Sequence, residues 1–228
     1  MNQRVLSERQ LGGLFMKTIY GQSHRTHRTV RLFLMLMLVG ILTALIAGLP
    51  QIWAANKHLI TIEEANQAHD YAMQYVENEV AYLYGGRQSV EAYLAALADG
   101  KVPGQDIGAD ASAVVVNAYR NVIPNIRFFF DQSQKTLVAD ATSSVIANYN
   151  SVPISQDELV PGDLIFFKDA SGNINGIAIF SEIKGEVIHF ITASANQGKV
   201  VRTNAYFHGA FWTNSFAGYG RLQYAIAE

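Results

Sequence analysis

Cysteine is missing from all 228 residues. Without a thiol the chain can form no disulfide, no thiolate metal site and no cysteine nucleophile, so its stability rests on apolar packing. Charge is sparse as well, at 16% of residues, and unevenly placed. From residue 57 onward, 11 Lys and Arg face 18 Asp and Glu, a formal charge of −7. A surface of that sign with no basic cluster does not attract phosphate backbones, which excludes nucleic acid as a partner. Metal-site patterns are absent too. His69 and His208 have no histidine or carboxylate at ligating spacing, and Asp106, Asp110, Asp131, Asp140 and Asp163 do not follow a calcium-loop pattern. No metal and no cofactor are expected.

The chain does have one long apolar run. Leu32 to Asn56 contains no charged residue over 25 positions, and about 20 suffice to cross the roughly 30 Å of bilayer hydrocarbon as a helix. A single transmembrane helix over 31–55 is expected, with Arg31 at its inner flank and Trp53 as an interfacial aromatic at its outer end. Residues 1–30 form a basic tail in which Arg4, Arg9, Lys17, Arg25 and Arg28 oppose only Glu8, so the amino terminus should be cytoplasmic. The expectation is a single-pass membrane protein with its carboxy-terminal domain outside the cytoplasm. A cleaved signal peptide is the competing reading, since Ala44, Ala47, Gly48, Ala54 and Ala55 are small. The 30-residue tail and the length of the run weigh against it.

Residues 57–228 have the patterning of one folded domain. Ile62, Ala65, Ala68, Ala72, Tyr75, Val76 and Val80 recur at helical spacing behind Thr61 as N-cap, which predicts an amphipathic helix ending at Gly85-Gly86. Further helices are predicted over Ser89–Ala98, from the Asp110 cap to about Val122, and over Thr142–Tyr149. The second half changes character. Asp163–Lys168, Asn175–Ile183, Glu186–Thr192, Lys199–Thr203 and Gly218–Ala225 are short, β-branched and aromatic, with turn residues between them. The fold class is α+β, with helices packed on an antiparallel sheet.

Three motifs follow one another in this domain: Tyr82-Leu83-Tyr84-Gly85-Gly86, Gly108-Ala109-Asp110-Ala111-Ser112-Ala113-Val114-Val115-Val116, and Leu159-Val160-Pro161-Gly162-Asp163-Leu164-Ile165-Phe166-Phe167. Their order resembles the NlpC/P60 family of papain-like cell-wall peptidases. The resemblance implies a cysteine nucleophile opening a buried helix within Asp-Cys-Ser-Gly, where helix amides and dipole stabilise the thiolate. This chain has Asp110-Ala111-Ser112-Ala113. It also implies a histidine base starting a strand, where Asn175-Gly176-Ile177-Ala178-Ile179-Phe180 supplies Gly176, and a polar orienting residue, matched by Thr192 in Phe190-Ile191-Thr192-Ala193-Ser194. A methyl group cannot attack a carbonyl, so the covalent route is closed. With Ala111, Gly176 and Thr192 all departing from the pattern, the resemblance implies a non-catalytic member.

On this reading the domain is a scaffold, a regulator or an accessory subunit of a membrane or cell-envelope complex, with a protein partner, the bilayer as anchor and peptidoglycan as a possible ligand, and the resemblance implies that the bilayer is a bacterial inner (cytoplasmic) membrane. The alternative is a peptidoglycan hydrolase or acyltransferase with Ser112 as nucleophile and His189 or His208 as base. Against it, Ser112 at the helix start suits local hydrogen bonding to the helix end, and alternation turns His189 away from Thr192. Tyr82 and Ser112 are the candidate groove residues. Closure of the former cleft is the expectation, because nothing requires it to stay open once catalysis is gone. The aromatics Phe128, Phe129, Phe130, Phe207, Phe211, Trp212 and Phe216 suit core and loop anchoring, with a contact surface as their alternative use.

Overall fold

The computed structural model describes Met35 and residues 56–227. The expected basic tail 1–30 and anchor 31–55, with Arg31 and Trp53, therefore lie outside the described residues apart from Met35. Among the described residues no helix is long and apolar enough to cross a membrane.

The domain opens with β1 (His58–Leu59) and α1 (Ile62–Glu77). Thr61 starts α1 through a capping box: its hydroxyl accepts from the Glu64 amide while the Glu64 carboxylate accepts from the Thr61 amide. The helix buries the stripe Ala65, Ala68, Tyr71, Ala72 and Tyr75. It stops at Glu77, well short of Gly85-Gly86. The reason is tertiary: Glu79 adopts φ 48°, and Val80 to Tyr82 turn out to bond a strand edge, with Val200 N–H on Val80 O and Tyr82 N–H on Gly198 O. Helices α2 (Val90–Ala98) and α3 (Ala111–Val122) follow, capped by Ser89 and Asp110. Next come β2 (Ile126–Phe129), β3 (Leu137–Val138), α4 (Ser143–Tyr149) and β4 (Ser151–Ile154). The chain ends in β5 (Leu164–Lys168), β6 (Ile174–Lys184), β7 (Val187–Ser194), β8 (Lys199–Tyr206), α5 (Ala210–Ser215) and β9 (Phe216–Ile226).

All pairings among these strands are antiparallel, in the order β3-β2-β9-β5-β6-β7-β8, with β1 and β4 also against β9. Strand alternation divides the apolar residues between two faces. Leu164, Phe166, Ile177, Ile179, Ile191, Leu222 and Tyr224 pack with the helices in the main core. Ile165, Phe167, Ala178, Phe180, Ile188 and Phe190 form a second core with Trp212 of α5. The short strands β1 to β4 and the helix α5 are additions to the elements expected from the sequence. Strands of two to four residues show too little alternation to read, and Pro153 within β4 argues against a strand until β9 is there to pair it.

Candidate functional site

The site begins where Gly86 and Gly108 let two backbone segments touch. A Cβ on Gly86 would stand 2.4 Å from Gly108 O, and one on Gly108 would stand 2.6 Å from Ala81 O. Only glycine permits this approach. It allows the Ala109 amide to bond Ala81 O at 3.0 Å, setting Tyr82 beside the start of α3. Here Asp110 Oδ1 accepts from the Ala113 amide at 2.8 Å, which makes Ala111 the first residue of the helix.

Arg87 holds this helix start. Its Nη1 donates to Ser112 Oγ at 2.7 Å and to Asp110 Oδ1 at 3.1 Å, and its Nε lies 3.1 Å from Asp140 Oδ2. Ser112 Oγ in turn donates to Asp110 Oδ1 at 2.8 Å. The serine hydroxyl therefore has its proton directed to a carboxylate and a lone pair directed to a guanidinium. Behind it a buried network fixes the Arg87–Gln88 backbone: Asn117 Nδ2 donates to Arg87 O, Gln88 O and the Tyr75 hydroxyl, while that hydroxyl donates to Gln88 O at 2.9 Å. Burial pushes the Tyr75 phenol above its ordinary range, so it stays a neutral donor.

The opposite wall comes from the sheet. Gly176 pairs with Phe167 across β5 and β6, and a Cβ there would meet Phe167 Cβ at 3.1 Å. Thr192 Oγ1 donates to Ile177 O at 3.0 Å, tying β7 to β6. Ala111, Gly176, Thr192, Tyr82 and Ser112 all line one cavity of about 870 Å³. The expected closure does not occur. The smallest side chains in the floor leave their volume open, while Tyr84, Ser144, Asn175, Gln197 and Phe211 build the rim around it.

The histidines stand elsewhere. His69 Nε2 lies 3.0 Å from Ser181 Oγ, at the α1–β6 contact. His208 is exposed beside Glu186 at 3.7 Å, and His189 pairs with Asn204 in the β7–β8 register. None of the three lines the cavity, and among the described residues Ser112 has no imidazole within hydrogen-bond reach. Among the described residues no group of three or more His, Asp or Glu could hold a metal ion. Asp163 sits at the base of β5, accepting from the Val160 amide and forming a two-pronged pair with Arg221. This pair and the Tyr119 hydroxyl, which donates to Gly162 O, brace the Pro161-Gly162 turn from behind.

Arg87, Asp140 and Phe167 are site residues that the motif reading did not single out. One signal was available: Arg87 is the sole cation between Lys57 and Lys101, an isolated charge directly after Gly-Gly. Phe211 was placed among the core aromatics, but it is 54% exposed at the cavity wall, unlike buried Trp212 beside it.

A family model described as the NlpC/P60 family matches residues 79–221 of this chain. A search of curated proteins finds no match. Among solved structures, the chain is similar to an NlpC/P60 family protein from Bacillus cereus ATCC 10987, with 15% identity, 71% of this chain and 40% of that one covered, and a TM-score of 0.42. It is also similar to Ly7917, solved with the hydrolyzing product of MDP, at 9% identity, covering 73% of this chain and 62% of that one, with a TM-score of 0.39. The chain thus spans less than two thirds of either protein.

Proposed function

Since the chain belongs to the NlpC/P60 family, whose members are usually cell-wall peptidases, we propose that it is a non-catalytic member whose groove binds without cutting. It would serve as a scaffold, regulator or accessory subunit of a cell-envelope complex, held at the cytoplasmic membrane by 31–55 with the domain outside. The observation that carries this reading is the start of α3. A methyl group stands at Ala111, and the adjacent hydroxyl of Ser112 is engaged by Arg87 and Asp110 instead of a base. Gly176 and Thr192 support it, one without a side chain and the other bonded to backbone.

The anchoring rests on the charge-free run and its basic flank. The proposed partner is a protein, and peptidoglycan is the competing ligand that the tests must separate from it. The test is direct. Purified full-length chain incubated with peptidoglycan digests should release no new amine above buffer, while affinity capture from detergent-solubilised membranes should recover one stoichiometric partner. Release of stem-peptide fragments that stops with Ser112→Ala, in a variant that still folds, would reverse the reading in favour of a serine enzyme.

A further inference from the structure

The groove's charge is already spent within its own walls. Among the described residues Arg87 is the only cation lining it, and its guanidinium faces Asp110 and Asp140 together, so none of these residues presents an unpaired positive charge to an incoming carboxylate. The domain around it carries a formal charge of −7. A cell-wall stem peptide, which bears free carboxylates, would enter an acidic field with no counter-charge at its destination.

The apolar wall is shaped for something else. Phe211 lies 5.3 Å from Phe167 at 45°, and Phe167 lies 5.5 Å from Phe190 at 49°. These tilted contacts fix Phe211 against the buried Phe167 and Phe190, so its outer side is the apolar surface presented to the cavity. The 54% exposure of Phe211 leaves apolar surface at the cavity wall for an arriving group to cover. Gln197 and Asn204 on the rim offer amides to a peptide backbone. A volume near 870 Å³ falls within the range that holds a drug-sized ligand, enough for one large side chain and its adjoining backbone.

Resting on the non-catalytic reading above, we propose that the groove holds an extended, uncharged segment of a partner protein, with one aromatic or large aliphatic side chain packed on the exposed side of Phe211, in preference to an acidic cell-wall peptide. The experiment uses the full-length chain in detergent micelles and three probes: N-acetyl-Ala-Phe-Ala-amide, N-acetyl-Glu-Phe-Glu-amide and muramyl dipeptide, each titrated by ligand-observed NMR. The neutral peptide should bind at least ten-fold more tightly than either acidic probe. Phe211→Ala should weaken it at least ten-fold with an unchanged melting temperature, and Phe211→Tyr should retain it. Equal or tighter binding of an acidic probe, no saturable binding of the neutral one, or indifference to Phe211→Ala each overturns the proposal. Uncut muramyl dipeptide held tightly would leave the non-catalytic reading standing and defeat only this inference, whereas cleavage of any probe would defeat the reading beneath it.

Discussion

Arg87 does with one side chain what sequence order does not reveal. It joins the α3 cap to Asp140, a residue of the β3–α4 connection, across a site that the motif reading located only through Ala111, Gly176 and Thr192. Those three positions were legible because a motif fixes them by order alone; Arg87 and Asp140 meet only after the chain has folded. The guanidinium is partly exposed, so each of its ion pairs contributes a fraction of a kcal/mol, and Arg87→Met should cost about 1 kcal/mol, read as a lowered urea midpoint. The helix start has its amides and Arg87 beside Ala111, its first residue. Ala111→Cys places a thiol beside helix amides and Arg87, and its pKa, measured from the pH dependence of iodoacetamide alkylation, should fall below the roughly 8.5 of free cysteine. That variant should still fail to cleave peptidoglycan, because no histidine among the described residues lines the cavity. Acid–base help for a nucleophile needs a group within hydrogen-bond reach, and Gly176 has none to offer.

Between elements, the α1–α2 contact depends on a Tyr71 hydroxyl donating to Glu91 at 2.7 Å. Burial first, then this carboxylate, push the Tyr71 phenol up to about 12, while the Tyr71 bond holds the Glu91 carboxyl below 4.5. The signs differ by group. Glu91, with its folded pKa depressed, contributes stability above pH 4.5 that is lost as pH falls through the folded value; Tyr71, with its pKa raised, contributes below pH 10 and loses that contribution between pH 10 and 12. Glu91→Gln should therefore cost about 1 kcal/mol at neutral pH and flatten the acid limb of the stability profile, while Tyr71→Phe should flatten both limbs. A harsher test lies at Gly162, where φ is 101° and an added Cβ would stand 2.0 Å from Ala65 O of α1. Gly162→Ala should cost more than about 3 kcal/mol by chemical denaturation, since backbone has to move. The helices capped by Ser89, Asp110 and Thr142 were legible because their start signals are local. The end of α1 was not, because Val80 leaves the helix to serve β8.

For the whole chain, the α+β layout followed from where helical and strand periods fall, but the paths of β1, β2 and β4 depended on a partner at the far end of the sequence. Absence of cysteine makes topology easy to test. A single Ser23→Cys in the tail should resist a membrane-impermeant maleimide in intact cells, and a single Asn196→Cys on the exposed β7–β8 turn should react; the reverse pattern would reject the proposed orientation. One feature of the sheet also governs when this domain can form. β9 lies between β5 on one side and β4 and β2 on the other, and β1 pairs with it as well. The last of the described strands in chain order is thus the one around which the sheet closes, so the earlier segments have no finished surface to collapse onto until it has been made. Contacts of such long sequence separation form slowly and late. A chain sent across a membrane in this condition would arrive at the channel still threadable and would lock only on the far side, once Phe216 to Ile226 had followed it through.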